Sequence, residues 1–315
     1  MRSLRISTAG CPSDYSQGLL PIIAQSLGYQ LNWVKPDNAD LLILGPFLKQ
    51  ASKNLRWCPK PLRPLVQNSL NLLPSKTSSA LRVFHSAENL RHDTVLADYS
   101  ISFDLNVDSQ NHFRLPYWME VIDWSHEGIV GNQNPRYGQL LTIERLMQPL
   151  GNEFLERKKE AAFLSSHIRE PRKTLFEAVQ NVMPITGFGP YFNKNIKSHH
   201  ESGFLKKALL QEFGFNLCPE NSMYPGYYTE KIPEAFFAGC LPISWADENV
   251  KVDFNPKALI NLAPMSWCDF APLKEIINSP QILEDYTSQA LLLDAPSILP
   301  FRDFVKRILD DAYSS

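Results

Sequence analysis

The sequence lacks any long hydrophobic run: no stretch approaches the roughly 20 apolar residues that a membrane-spanning helix requires. The first residues turn polar and contain glycine and proline before they could form the apolar core of a signal peptide. We therefore expect a cytoplasmic protein without a transmembrane segment, for which only a weak peripheral contact with a membrane stays open.

An excess of either charge is also missing, because 31 lysines and arginines face 33 aspartates and glutamates and the net charge is −2. Binding to nucleic acid depends on clustered positive charge, so we expect no nucleic acid partner. Any anion must instead be held by a local group of side chains. A chain of 315 residues with 44% hydrophobic content is long enough for two domains.

Metal-ligand spacings are absent as well. The seven histidines form no ligand pattern, and no Asp-x-Asp element of the kind that holds Mg²⁺ against a diphosphate occurs. We expect no metal and no cofactor. The cysteines are odd in number and lie beside apolar or proline-rich sequence, so we expect them to be reduced and mostly buried: Cys11, Cys58, Cys218, Cys240 and Cys268.

Strand and helix patterns alternate over the first 120 residues. Short apolar runs end at turn residues, as buried strands do, and one amphipathic helix pattern spans Gln17–Leu27. This alternation predicts a doubly wound α/β domain with a parallel sheet. The predicted strands are Leu4–Ala9, Gln30–Val34, Asp40–Leu44, Leu81–Phe84 and Tyr99–Phe103.

The alternation resumes after a polar stretch, so we place the domain boundary there and predict domains at 1–152 and 153–315. The charged run at 156–160 is interpreted as a solvated face or linker, and Phe301–Ala312 as an amphipathic helix that docks on the protein. The elements predicted in the second domain are strands Ala161–Leu164, Phe213–Cys218 and Leu241–Trp245 and helices Pro171–Gln180 and Glu230–Ala238.

Residues 213–232 read as a strand, a Gly/Pro loop and a helix that Thr229 is predicted to cap. Ligands of parallel sheets bind at the carboxyl ends of strands, where helix amides attract phosphate. Lys231 stands out, because a cation in the first turn opposes the helix dipole unless an anion lies nearby. Glu230 could accept hydrogen bonds from a sugar diol, or it could simply be favourable at a helix start.

Several blocks carry a resemblance to a known family. Cys-Pro-Glu-Asn-Ser…Gly-Tyr-Tyr-Thr-Glu-Lys-Ile at 218–232 closely resembles the donor-binding signature of bacterial and animal α-1,3/1,4-fucosyltransferases. Blocks at 84–89, 164–172, 238–245 and 253–257 are similar to the same family. Recognisable sequence covers about residues 81–120 and 160–262.

The resemblance implies a GT-B type glycosyltransferase, in which two Rossmann-like domains face each other across a cleft. The first would be the acceptor-side domain carrying the base, and the second would bind GDP-fucose. The partners would be GDP-fucose and a carbohydrate acceptor, without a metal. Transfer would invert the anomeric carbon, and the implied product has an α-1,3 linkage to an acceptor such as an N-acetyllactosamine-like glycan.

Six residues acquire roles only through this resemblance. It implies that Arg172 and Lys231 hold the pyrophosphate and that Glu230 binds ribose or fucose hydroxyls. Asn221 and Tyr227 would line the donor site, and Glu88 would be the general base.

Other interpretations stay open on the residues alone. Glu88 could be an ordinary surface carboxylate, and Arg172 an ordinary charge at a helix start. A glycoside hydrolase could use Glu88 and Glu230 as paired carboxylates roughly 5–9.5 Å apart, although Arg172 and Lys231 argue against it. The chain could also be an inactive relative that binds sugar nucleotides or glycans.

Overall fold

The protein is described by a computed structural model that covers residues 2–48, 79–133, 137–192, 206–266 and 270–314. The chain divides into two compact units. The first unit comprises Met1–Pro116, Trp124–Asn134 and Ser297–Ser315, and the second comprises Tyr117–Asp123 and Pro135–Pro296.

The first unit contains a six-stranded sheet with the order β2-β1-β3-β4-β5-β6, in which every pair is parallel. All four residues of β3 are buried, which explains why that strand reads as an uninterrupted apolar run. Helix α1, Leu19–Ser26, follows β1. The strands are β1 Arg2–Ala9, β2 Tyr29–Trp33, β3 Leu41–Leu44, β4 Leu81–His85, β5 Tyr99–Ser102 and β6 His112–Arg114.

The second unit contains a five-stranded parallel sheet with the order β11-β10-β9-β7-β8. Its strands are β7 Lys158–Leu164, β8 Ile185–Phe188, β9 Phe213–Leu217, β10 Leu241–Ser244 and β11 Ile260–Asn261. Its helices are α2 Ile143–Leu146, α3 Glu153–Glu156, α4 Arg172–Gln180, α5 Lys231–Phe237, α6 Ala271–Asn278 and α7 Pro280–Thr287. Two parallel α/β sheets confirm the prediction of two Rossmann-like units.

Short 3₁₀ turns join several of these elements in both units. They lie at Tyr15–Gln17, Pro36–Asn38, Tyr117–Val121, Ser125–Glu127, Glu248–Val252 and Pro256–Ala258.

The last helix, α8 Leu299–Ser314, belongs to the first unit rather than to the second. Its Phe304 ring lies edge-on to Tyr99 with centroids 5.7 Å apart, and Asp310 accepts a 2.6 Å hydrogen bond from the Tyr29 hydroxyl. The amphipathic helix predicted at Phe301–Ala312 therefore docks on protein, as expected. The division of the chain differs from the expected domains 1–152 and 153–315. Residues 117–123 and 135–152 belong to the second unit, and α8 belongs to the first because its apolar face packs against the first sheet.

The charged run at 156–160 forms a solvated face, one of its two predicted interpretations, and is not a linker. Strand β7 begins at Lys158, whose ammonium pairs with Glu212 at 3.0 Å, and the carboxylate of Glu160 accepts a hydrogen bond from Thr186. These charged side chains pair at the start of the strand, while the following Ala161 is fully buried. The strand is therefore longer than its apolar part indicates.

Cys218 and Cys240 are buried, and Cys11 is partly buried; all three are free thiols, as predicted. Burial raises the pKa of Cys11 and of Cys240 to about 12, which keeps both thiols protonated. Cys58 and Cys268 lie outside the described residues. Among the helices of the described ranges, none has both the length and the apolar character needed to cross a membrane.

Candidate functional site

The order of strands in the second unit fixes where a ligand site is expected. The chain leaves β7 toward β8 at one side of the sheet, whereas β9 pairs with the other side of β7. This reversal makes the carboxyl ends of β7 and β9 a topological switch point, where open α/β sheets bind ligands. Ser165 follows β7 and Cys218 follows β9, so both connecting segments start at this point.

A small polar cavity of about 20 Å³ lies at the switch point. Such a volume holds about one water molecule. Its walls combine the ends of both strands with three cationic side chains. The lining residues are Phe163, Leu164, Asn216, Leu217, Cys218 and Pro219 together with the cations Arg172, Lys206 and Lys231.

Arg172 joins the two segments that meet at the switch point. It is the first residue of α4 and is only 7% exposed. One end of its guanidinium donates a 3.0 Å hydrogen bond to Oγ of Ser165, and the other donates to Oδ1 of Asn221. The sequence-predicted pair Arg172 and Asn221 is therefore brought together. A planar guanidinium fixed in this way can present a rigid set of donors to an anion.

Backbone packing helps to hold Ser165 in place. Gly189 follows β8 with φ of +109°, and a Cβ there would overlap the carbonyl oxygen of Ser165. Only glycine accommodates both that dihedral angle and that approach. The Ser165 hydroxyl in turn donates a 2.6 Å hydrogen bond to the carbonyl of His167. Burial and the positive charge of Arg172 lower the pKa of His167.

Lys231 is paired with a buried carboxylate that the sequence interpretation overlooked. Its ammonium lies 2.7 Å from Oε2 of Glu220 and 2.7 Å from Oγ1 of Thr229. Glu220 is 1% exposed and also accepts hydrogen bonds from the backbone N–H and the hydroxyl of Thr229, both at 2.8 Å. The loop between β9 and α5 is thus folded around one carboxylate.

This arrangement corrects two predictions. Thr229 does not cap the helix, because the N-cap residue of α5 is Glu230 and the Thr229 hydroxyl is directed to Glu220. The anion that compensates Lys231 at the helix start is the protein's own Glu220, so the position of Lys231 does not by itself require a phosphate. Burial lowers the pKa of Lys231, but the nearby carboxylates of Glu220 and Glu230 outweigh it and raise the pKa above its usual value.

A second lysine and carboxylate repeat this pattern. Lys206, which begins the helical residues 206–210, lines the same cavity and forms an ion pair with Glu234 of α5. Glu234 is fully buried, and burial raises its pKa to about 7. In the sequence, the burial of Glu234 could have been suspected because this charged residue lies inside the apolar stretch Ile232–Phe237.

The other sequence-predicted donor residues lie on the same loop in different environments. Asn221 is exposed apart from its contact with Arg172, and Glu230 is partly exposed at the start of α5. Tyr227 is only 3% exposed, so it offers little surface to a ligand.

Glu88 lies in the first unit, in the loop that follows β4, and is partly buried. The Ser86 hydroxyl donates to its carbonyl at 3.0 Å and accepts from its N–H at 3.2 Å. The rest of the loop is anchored by Asp104, which is 2% exposed and follows the neighbouring strand β5. Asp104 forms an ion pair with Arg91 and accepts a 2.6 Å hydrogen bond from the N–H of His92. The backbone at Glu88 is therefore held at the carboxyl edge of the first sheet.

Two family models match the segments that carry these residues. The model described as glycosyltransferase family 10 (fucosyltransferase) C-term matches residues 154–286, and that of the alpha-(1,3)-fucosyltransferase FucT N-terminal domain matches residues 74–120. Together they span more than half of the chain. Residues 154–286 thus resemble the C-terminal part of glycosyltransferase family 10, and residues 74–120 resemble the N-terminal domain of an alpha-(1,3)-fucosyltransferase. The first match contains the whole cation cluster and the second contains Glu88.

A relative of known identity gives the same assignment. The chain is 29% identical over 203 residues to the alpha-(1,3)-fucosyltransferase FucT of Helicobacter pylori. The match spans 58% of the chain and 41% of that relative, so less than half of the relative's length is represented.

Solved structures share the fold of this chain. A crystal structure of an alpha1,3-fucosyltransferase has a TM-score of 0.68 at 23% identity, covering 100% of this chain and 91% of the other. A structure of alpha1,3-fucosyltransferase with GDP-fucose has a TM-score of 0.65, also at 23% identity, covering 98% of this chain and 91% of the other. At this identity the likeness establishes the shared architecture.

Proposed function

We propose that the chain is an inverting fucosyltransferase that moves L-fucose from GDP-fucose to a hydroxyl group of a glycan. The observation that carries this proposal is the convergence of Arg172 and Lys231 on one cavity at the switch point of the second sheet. The matches to glycosyltransferase family 10 and to alpha-(1,3)-fucosyltransferases suggest the substrate class. In this proposal the second unit binds the donor and the first unit serves the acceptor.

The cations stabilise the leaving group. As the bond between fucose and the β-phosphate breaks, negative charge grows on the diphosphate, and preorganised donors stabilise that charge in the transition state. Arg172 is held in advance by Ser165 and Asn221, and Lys231 by Glu220. These groups take the role that a divalent cation fills elsewhere, so no metal is required.

Glu88 acts as the general base on the acceptor. The acceptor oxygen forms a bond to the anomeric carbon from the face opposite the diphosphate, the bond to the phosphate oxygen breaks, and its electron pair leaves with GDP. The acceptor proton passes to the Glu88 carboxylate. A positioned base contributes a factor of about 10²–10⁴ to the rate. Attack from the opposite face inverts the anomeric configuration, and the names of the relatives favour an α-1,3 linkage.

The sugar and ribose are held by the loop between β9 and α5. Glu230 accepts hydrogen bonds from donor hydroxyls, and Asn221 lies beside the Arg172 guanidinium at the edge of the cavity. Tyr227 supports the loop from its buried position. An N-acetyllactosamine-like glycan is our proposed acceptor.

A glycoside hydrolase is not favoured. Hydrolysis through Glu88 and Glu230 would need a neutral carboxylic acid as proton donor, whereas the residues around Glu230 supply cations that suit a bound anion. An inactive relative would bind the nucleotide sugar without turnover, and only an activity measurement separates it from the enzyme.

The test is transfer by the full chain from GDP-fucose to a panel of glycans, followed by mass spectrometry and NMR of the products. We expect one deoxyhexose to be added to an N-acetyllactosamine-type acceptor, with the anomeric configuration inverted relative to the donor. UDP-sugars should not serve as donors. GDP binding without transfer to any acceptor would identify an inactive relative, and hydrolysis of fucosides without GDP binding would identify a hydrolase.

A further inference from the structure

We propose that Lys206 is a third cation of the diphosphate site and that Glu234 positions it. The inference rests on the proposed function to the extent that the anion is a nucleoside diphosphate. The family resemblance assigned a role to Arg172 and Lys231 but none to Lys206 or Glu234.

The geometry of the two lysines is alike. The side chains of Lys206 and Lys231 are 20% and 21% exposed, and both line the cavity at the switch point. Their carboxylate partners, Glu234 and Glu220, are only 1% and 2% exposed in their side chains. Each ammonium group is therefore held by a carboxylate on the buried side while its remaining N–H donors can serve the cavity.

The burial of Glu234 is the second observation. One oxygen, Oε2, pairs with Lys206, and the other, Oε1, is buried without a hydrogen-bond partner among the described residues. A buried carboxylate that is only partly satisfied costs stability, and an apolar side chain in its place is often neutral or stabilising. A costly buried charge beside a cavity is more typical of a functional site than of a structural one.

Helix α5 connects the two pairs. Lys231 is its first residue and Glu234 follows three residues later, where a side chain lies on the same face of the helix. One short helix thus contributes one cation directly and places the counter-charge of the other. Glu220 and Glu234 offset part of the positive charge, but the two ammonium groups and the guanidinium still offer charged N–H donors at one cavity. Such donors match the phosphate oxygens of a nucleoside diphosphate better than the hydroxyls of a neutral glycan.

The chain offers a matched control. Lys207 neighbours Lys206 in the sequence, but its ammonium donates a 2.6 Å hydrogen bond to Gln139 and does not line the cavity. Lys206→Met and Lys207→Met therefore remove the same charge and differ in whether the cavity loses a cation.

The experiment is calorimetric titration of the full chain and its variants with GDP and with GMP. Loss of a hydrogen bond from a charged group predicts that Lys206→Met weakens GDP binding roughly 10- to 100-fold. The same substitution should weaken GMP binding less, so the ratio of the GDP affinity to the GMP affinity should fall. Lys206→Arg should restore that ratio, and Lys207→Met should keep it.

The result that would overturn the proposal is a Lys206→Met variant that binds GDP like the parent, or one that loses GDP and GMP affinity in the same proportion, as a purely structural defect would. If Lys206→Met does not fold, the double variant K206M/E234Q removes both charges of the pair and carries the same test. Absence of GDP binding by the parent chain would overturn the proposed function as well, whereas undiminished binding by Lys206→Met overturns this inference alone.

Discussion

The ammonium group of Lys231 lies 2.7 Å from Oε2 of Glu220, a carboxylate that is almost fully buried. This ion pair explains how a cation is tolerated at the start of α5, where the helix dipole opposes it. It also fixes the direction of the Lys231 side chain before any ligand binds. The pair is therefore part of the structure and, in our proposal, part of the donor site.

Glu220→Gln should destabilise the second unit, because it leaves Lys231 without its counter-charge. Breaking a buried ion pair costs about 3–5 kcal/mol, and the partial exposure of Lys231 places this case toward the lower end. The free energy of unfolding from urea titration measures the effect. The double variant E220Q/K231M should recover part of the loss. The exposed pair of Lys158 and Glu212 is the control, since Glu212→Gln should cost about 1 kcal/mol or less.

Arg172→Lys should weaken GDP binding about tenfold or more while the protein stays folded. A lysine keeps the charge but cannot contact Ser165 and Asn221 at once, so the rigid fork is lost. Calorimetric titration with GDP measures the change. Arg169→Lys, at an exposed position three residues earlier, should leave the affinity unchanged. Equal affinities for parent and Arg172→Lys would remove this residue from the donor site.

Glu88→Gln should keep the affinity for GDP and lower the transfer rate by about 10²–10⁴, the contribution of a general base. The backbone contacts with Ser86 do not depend on the carboxylate, so the loop should keep its position. The measurement is the initial rate of transfer at saturating GDP-fucose. Asp93→Asn makes the same chemical change at an exposed position of the same loop and should leave the rate intact. Full activity in Glu88→Gln would refute the assignment of the base.

The lowered pKa of His112 should make the protein less stable at acidic pH. Burial and the neighbouring His92 ring lower its pKa to about 4, below the unperturbed value near 6.5. Between those two values the unfolded chain binds the proton and the folded chain does not, so stability falls as the pH drops from about 6.5 to 4. Thermal unfolding across this range should show a smaller decrease in Tm for His112→Asn than for the parent.

The control for that experiment is His126→Asn, because His126 is exposed. It should reproduce the pH dependence of the parent. An acid-induced loss of Tm that is identical in parent and His112→Asn would show that other groups cause it.

Much of the fold followed from short apolar runs. The buried parallel strand Leu41–Leu44 is apolar on both faces, so its ends were predicted within two residues. The strand His112–Arg114 was missed, since all three of its residues are partly exposed and show no alternation. The assignment of α8 to the first unit depends on contacts with Tyr99 and Tyr29, more than 200 residues away in the chain, which no local pattern contains.

The site was predicted in part. Arg172, Asn221 and Lys231 were found through the family resemblance, and the structure places them around the same switch point. Glu220 was overlooked, because a charged residue in a Gly/Pro loop normally lies at the surface. Its role depends on the loop folding back so that Thr229 and Lys231 meet one carboxylate, which is a property of the tertiary structure.

The most direct test of the central claim is a crystal structure of the chain in complex with GDP. We expect phosphate oxygens within hydrogen-bonding distance of the Arg172 guanidinium and the Lys231 ammonium, at the carboxyl ends of β7 and β9. GDP bound elsewhere on the chain, with no phosphate oxygen near those two side chains, would contradict the proposed donor site.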